Sequence, residues 1–223
     1  MITEELFQFL KDLEENNNRE WFNENKPTYQ KHHKTVKELF QSVQDELSQT
    51  DQIDGHKIYR IYRDVRFSKD KSPYKKHFSG YFARVKPLLR GGYYLHIEPG
   101  NKSIVGGGFY GPNTDDLKRI REELSYDATE LRNIIDAPSF KETFGEMYGE
   151  ELKSAPRGFD KNDPAIDLIR KKQFIFFRTL TDEEVMAPDY MEKVMNAFIE
   201  IRPFFDFMSN VLTTDSNGEP LYK

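Results

Sequence analysis

The chain contains no cysteine. That absence removes disulfide bonds, thiolate zinc sites and cysteine nucleophiles from consideration. Long apolar runs are missing too, and no stretch approaches the roughly 20 apolar residues that a membrane-spanning helix needs. The opening residues, Met1-Ile2-Thr3-Glu4-Glu5, show no basic region followed by an apolar segment, which argues against a secretory signal. There is no excess of positive charge either. The formal net charge is -5 over 223 residues, which argues against general affinity for nucleic acid. Ser68, Ser72, Ser79 and Ser103 all lack the Gly-x-Ser-x-Gly setting of a hydrolase nucleophile. No internal repeat and no domain linker is visible. These absences lead us to expect a cytoplasmic protein with no membrane partner, and they set no oligomeric state.

What is present suits a packed core. The chain is 37% hydrophobic and carries 18 Phe and 12 Tyr among 32% charged residues, a composition that folds rather than staying disordered. Thr3 caps a helix predicted over 3–15, with Leu6, Phe9, Leu10 and Leu13 at helical spacing. A second helix is predicted over 27–47, with Tyr29, Val36, Leu39, Phe40, Val43 and Leu47 as its buried stripe. His32 and His33, being adjacent, cannot share one helical face and read as surface residues. Asp51 to Gly55 reads as a turn, and Lys57 to Tyr62 as either a strand or a short helix. Strands follow at Phe78–Lys86, Tyr93–Glu98 and Lys102–Tyr110, the last two joined by the turn Pro99-Gly100-Asn101. Short helices, a buried strand at Phe174–Phe177, a capping box at Thr181–Glu184 and a helix over 190–212 complete the chain. No regular β-α-β rhythm appears. The expected fold is therefore α+β, a single domain over residues 1–223 with a central antiparallel sheet and flanking helices.

The residues able to carry chemistry concentrate between Tyr59 and Pro112. Arg63, Arg66, Lys69, Lys71 and Lys75 lie close together, with Asp64 and Asp70 among them. Arginine offers a rigid donor fork for phosphate or carboxylate oxygens, and lysine a mobile point charge. The cluster reads either as an anion-binding loop or as a loop tied down by its own ion pairs. Gly106, Gly107 and Gly108 either expose backbone N–H groups to an anion or mark a bulge in a strand. Neither the Walker nor the dinucleotide pattern is met. Arg157, in a Pro/Gly loop, is a further candidate ligand contact.

His96 and Glu98 are the candidate acid–base pair. Together with Tyr94 they share one face of the predicted strand. Residues i and i+2 of a strand stand about 7 Å apart, too far for a direct bond in most rotamers. A metal site requires a third ligand, and the five histidines are scattered; no metal and no cofactor is expected. Phe67, Tyr74, Phe78 and Tyr81 interleave with the cations in the manner of a groove that stacks single-stranded bases.

The run Arg63-Asp64-Val65-Arg66-Phe67-Ser68-Lys69-Asp70-Lys71-Ser72-Pro73-Tyr74-Lys75 resembles the family catalogued as DUF2461. Trp21-Phe22 with Asn25-Lys26, Leu95-His96-Ile97-Glu98-Pro99 with the triple glycine, Ala155-Pro156-Arg157-Gly158-Phe159 and Ile166-Asp167-Leu168-Ile169-Arg170 fit the same pattern. The resemblance covers nearly the whole chain. It implies a soluble bacterial protein of one domain, and it brings no catalytic assignment for any residue. The leading expectation for function is the binding of a small phosphorylated or carboxylated ligand through the basic loop. A non-catalytic protein-interaction module and a single-stranded nucleic-acid binder are the alternatives.

Overall fold

The computed structural model describes residues 1–66, 68–215 and 217–222. In chain order the elements are α1 (Glu4–Glu15), α2 (Arg19–Glu24), α3 (Lys26–Leu47), β1 (Ile53–Ile58), β2 (Phe78–Arg84), β3 (Gly92–Ile97), β4 (Ser103–Phe109), α4 (Thr114–Tyr126), α5 (Thr129–Ile135), α6 (Pro138–Phe144), α7 (Ile166–Ile169), β5 (Phe174–Leu180), α8 (Asp182–Met186) and α9 (Tyr190–Thr213). The strands form one antiparallel sheet in the order β1-β2-β3-β4-β5. The fold is α+β. No helix among the described residues is long and apolar enough to cross a membrane.

The chain divides into two compact units, each assembled from discontinuous segments. The first comprises Met1–Phe82, Tyr94–Val105 and Thr179–Met195, the second Ala83–Tyr93, Gly106–Arg178 and Asn196–Lys223. Units woven from alternating segments need no linker, which explains why none is legible in the sequence.

In the first unit, α1 begins at Thr3, whose hydroxyl accepts the Leu6 N–H, and its apolar face is fully buried at Leu6, Leu10 and Leu13. The stripe of α3 meets the sheet through Phe40, stacked on Phe82 of β2 with ring centroids 5.2 Å apart. Phe78 and Phe82 of β2 and Leu95 and Ile97 of β3 complete this core. The turn at Pro99–Asn101 is pinned by Asp182, whose carboxylate accepts the Gly100 and Asn101 N–H groups at 2.9 and 2.8 Å. Gly100 and Asn101 both adopt positive φ there, 85° and 59°, a conformation these two residue types tolerate best. The capping box on α8 is present, with the Thr181 and Glu184 side chains each taking the other's N–H.

In the second unit the core is aromatic. Tyr93 lies 4.9 Å from Phe198 and 5.0 Å from Phe205, and Phe176 packs edge-on against Phe140 and Phe204. Arg84 is buried beside Asp206, which accepts its guanidinium N–H at 2.5 Å. Pro203 sits within α9, a single continuous helix.

Two expectations are corrected and one element is added. Residues 51–55 are not all turn, because β1 already starts at Ile53. It is the edge strand, half-exposed and charged at Asp54 and Lys57, so it lacks the apolar alternation that identifies inner strands. Arg19–Glu24 is a short helix capped by Asn18, which accepts the Trp21 N–H. His32 is buried, 4% exposed, with its ring 5.5 Å from Phe9. It stands at i+3 from Tyr29 and i−4 from Val36, so it lies on the apolar stripe itself.

Candidate metal centre

The cationic run folds back on itself. Arg63 N–H donates to the Pro73 carbonyl at 2.9 Å and Lys75 N–H to the Ile61 carbonyl at 2.7 Å, so 61–63 and 73–75 pair and the described residues between them form the tip. Asn17 clamps this pairing. Its amide donates to the Tyr74 carbonyl and its carbonyl accepts the Tyr74 N–H, both at 3.0 Å. Beneath lies Phe22, stacked on Tyr74 with centroids 3.9 Å apart.

At the tip the arginines already have carboxylate partners. Arg63 donates to Asp70, Ser72 and Ser68. Arg66 makes a two-point contact with Asp64 at 2.9 and 2.6 Å, and that bond holds the Asp64 carboxyl at a pKa of about 2. Lys71 donates to the Val65 carbonyl at 2.9 Å. Lys69 is exposed, and Phe67 lies outside the described residues. The loop is thus tied down by its own ion pairs. Lys75 differs: its ammonium lies 5.2 Å from the centre of the Tyr59 ring. Among the described residues no carboxylate is within ion-pair distance of it.

The glycines have a packing role. A Cβ on Gly106 would stand 2.1 Å from the Phe176 carbonyl oxygen, and one on Gly108 2.2 Å from that of Phe174. A Cβ on Gly107 would stand 2.3 Å from the Gly92 carbonyl oxygen. These positions face the backbone carbonyls of β3 and β5, which repel an anion. Arg157 is exposed, in a turn closed by the Phe159 N–H on the Pro156 carbonyl at 3.2 Å. The glycines and Arg157 all belong to the second unit, whereas the basic loop belongs to the first.

The chemistry gathers on the polar face of β2 and β3, within the first unit. Tyr94, His96 and Glu98 share that face, as strand alternation requires, while Tyr93, Leu95 and Ile97 are fully buried on the other. The Tyr94 hydroxyl lies 3.2 Å from His96 Nδ1 and His96 Nε2 lies 2.8 Å from Glu98 Oε2. The expectation that His96 and Glu98 stand too far apart for a direct bond is therefore corrected. Glu98 lies just past the last residue of β3, where the chain enters its turn, and its flexible side chain reaches back.

His77 supplies what the sequence did not reveal. Its Nδ1 lies 3.5 Å from Glu98 Oε2, and its ring centroid is 4.1 Å from that of His96. One ligating atom from each of His77, His96 and Glu98 falls within 4.8 Å of the other two. A metal with bonds near 2.1 Å holds tetrahedral ligand atoms about 3.4 Å apart, a spacing this triad approaches. The signal was register. His77 immediately precedes β2 and Glu98 immediately follows β3, so both sit at the same end of this antiparallel pair, although 21 positions separate them in the sequence.

Supporting contacts fix the ligands. Ser103 Oγ accepts the Glu98 N–H and donates to the Glu98 carbonyl, each at 3.0 Å. Lys76, ion-paired to Glu14 of α1, reaches 3.8 Å from Glu98 Oε1 and leaves Oε2 to the imidazoles. Tyr94 occupies His96 Nδ1, so Nε2, which lies beside Glu98 Oε2, is the nitrogen left to ligate; such an outer contact orients metal-binding histidines. The side chains are largely shielded, with 12% of His96, 12% of Glu98 and 23% of His77 exposed. Burial would raise the Glu98 carboxyl, but the bonds from His77 and His96 outweigh it and hold the group well below its ordinary range. Burial lowers the His77 imidazole, against the pull of Glu98. Burial raises the Tyr94 phenol.

No curated protein and no solved structure matches the chain. A family model does. Residues 5–207 match the family described as "Conserved hypothetical protein (DUF2461)", and the chain belongs to that family. The matched span contains the basic run, His77, His96 and Glu98.

Proposed function

We propose that this chain is a metal-dependent protein acting on a small phosphorylated or carboxylated ligand. In this reading His77, His96 and Glu98 hold a divalent cation and Lys75 faces the anionic group of the ligand. The observation that carries it is the convergence of two imidazoles and one carboxylate at the adjoining ends of β2 and β3, with ligating atoms within 4.8 Å. That donor set is the one used by hydrolytic zinc sites and by non-haem iron sites, both of which leave positions open for water or substrate. A cation bound there would polarise a phosphoryl or carbonyl oxygen and lower the pKa of bound water. The protein's own residues set the geometry. Tyr94 and Lys76 orient the ligands, Ser103 fixes the backbone of Glu98, and the cationic Lys75 favours a negatively charged partner. The anion role thus passes from the arginines of the loop, which are already paired, to Lys75.

Calorimetry on chelator-stripped protein tests this, with Zn²⁺ and Mn²⁺ as probes. One saturable site per chain is expected, weakened well beyond tenfold in His96→Ala and in Glu98→Ala. Inorganic phosphate should then bind more tightly to the metal-loaded protein than to the stripped one. Equal metal affinity in wild type and both variants, or no saturable binding at millimolar metal, would overturn the proposal.

A further inference from the structure

We propose that the ligand of this site is a mononucleotide, its phosphate held at Lys75 and its base stacked on Tyr59. This rests on reading His77, His96 and Glu98 as the centre of the site. The surroundings of that centre are aromatic as well as cationic. Tyr59 is 39% exposed. It lies 5.9 Å from Tyr81, at an interplanar angle of 44°. Tyr81 of β2 and His77, which immediately precedes that strand, stand two residues either side of Ser79, on the face that also carries Tyr94 and His96. Burial first, and then the neighbouring Tyr94 and Tyr81, raise the Tyr59 phenol.

Lys75 connects the two halves of the argument. Lys75 is half-buried, its ammonium lies over the Tyr59 ring, and it has no carboxylate partner among the described residues. Arg63, Arg66 and Lys76 each have one. A phosphate would supply that missing counter-charge, and Tyr59, 39% exposed, is the aromatic ring beside it. Sugar phosphates satisfy the cation and leave the ring surface unused. A ligand that joins a flat base to a phosphate uses both. A nucleic-acid strand fits less well. Asp70 and Asp64 neutralise Arg63 and Arg66, so the loop offers no continuous cationic track for a polymer backbone.

The test compares AMP, ribose 5-phosphate and adenosine by calorimetry, on Zn²⁺-loaded and on EDTA-treated protein. It uses wild type, Tyr59→Ala, Tyr59→Phe and Lys75→Met. AMP should bind wild type roughly tenfold more tightly than ribose 5-phosphate, the scale of one base stacked on an aromatic side chain. Tyr59→Ala should erase that preference and Tyr59→Phe should keep it. Lys75→Met should weaken both phosphates and leave adenosine unchanged. Equal affinity for AMP and ribose 5-phosphate in wild type overturns the inference, as does no AMP binding at millimolar concentration. An equal loss for both phosphates in Tyr59→Ala, or a single-stranded oligonucleotide binding far more tightly than AMP with steep salt dependence, does so too. A preference for AMP that persists in EDTA, in protein that binds no metal, leaves this inference standing while the metal reading fails. Metal bound at the triad with no preference for AMP refutes this inference alone.

Discussion

Replacing Gly106 by alanine should destabilise the protein severely, and the size of the effect follows from the sheet. The new Cβ would lie 2.1 Å from the Phe176 carbonyl oxygen and 3.0 Å from the Phe177 Cα. Both obstacles are backbone atoms of β5, and β4 is enclosed between β3 and β5. Neither strand can withdraw without stretching ladder hydrogen bonds, each worth about 1 kcal/mol net. Overpacking of this kind costs about 1–3 kcal/mol. The positive φ of Gly106, 155°, adds a similar order of backbone strain in any residue with a side chain. A loss of about 3–5 kcal/mol is expected, a large share of the roughly 5–15 kcal/mol that holds a domain folded. Urea unfolding would read this as a midpoint lower by about 1–2 M at the slopes usual for proteins of this size. Gly111→Ala is the internal control. Nothing lies within 4 Å of its Cβ position, and it should stay within about 0.5 kcal/mol of wild type. Equal midpoints for Gly106→Ala and Gly111→Ala would refute the packing argument. So would a stable Gly106→Ala that had lost phosphate affinity, because the glycines would then be an anion cradle.

The remaining predictions concern histidine burial and the clamp under the basic loop. Burial lowers the imidazole pKa of His32, His33 and His56 below the ordinary value of 6.5. Below pH 6.5 the unfolded chain therefore binds protons that the native state resists, and stability falls with pH until the folded values are reached. Urea midpoints should drop between pH 7.5 and pH 5, and His32→Leu should show a shallower drop; a variant slope equal to wild type would contradict this. Asn17→Ala removes both bonds to the Tyr74 backbone and should cost about 1–3 kcal/mol. Limited proteolysis should then cut within 64–72 sooner than in wild type, and an unchanged digestion pattern would show that the clamp does not hold the loop.

The legible parts of the fold were those whose physics is local. The stripes of α1, α3 and α9 repeat at helical spacing, and the β3–β4 hairpin announces itself by alternation and by Pro99-Gly100-Asn101. What escaped was set by partners distant in sequence. The edge strand β1 carries Asp54 and Lys57 because one side faces water, which hides its strand pattern. Two readings of the basic run were open, and Asp64 and Asp70 favour the ion-paired one, since both sit close enough to bond the arginines. The shared face of Tyr94, His96 and Glu98 was readable from β periodicity. His77 was not, because a contact across two strands depends on register, which the turn between them fixes. That one residue turns an acid–base pair into a triad able to bind a metal.

Anomalous diffraction from crystals of the wild-type protein soaked in Zn²⁺ tests that triad most directly. The account predicts a difference peak at the zinc edge about 2.0–2.2 Å from one nitrogen each of His77 and His96 and from a Glu98 oxygen. Soaked crystals with no peak there, or with zinc only at surface carboxylates such as Asp64 and Asp70, would contradict it.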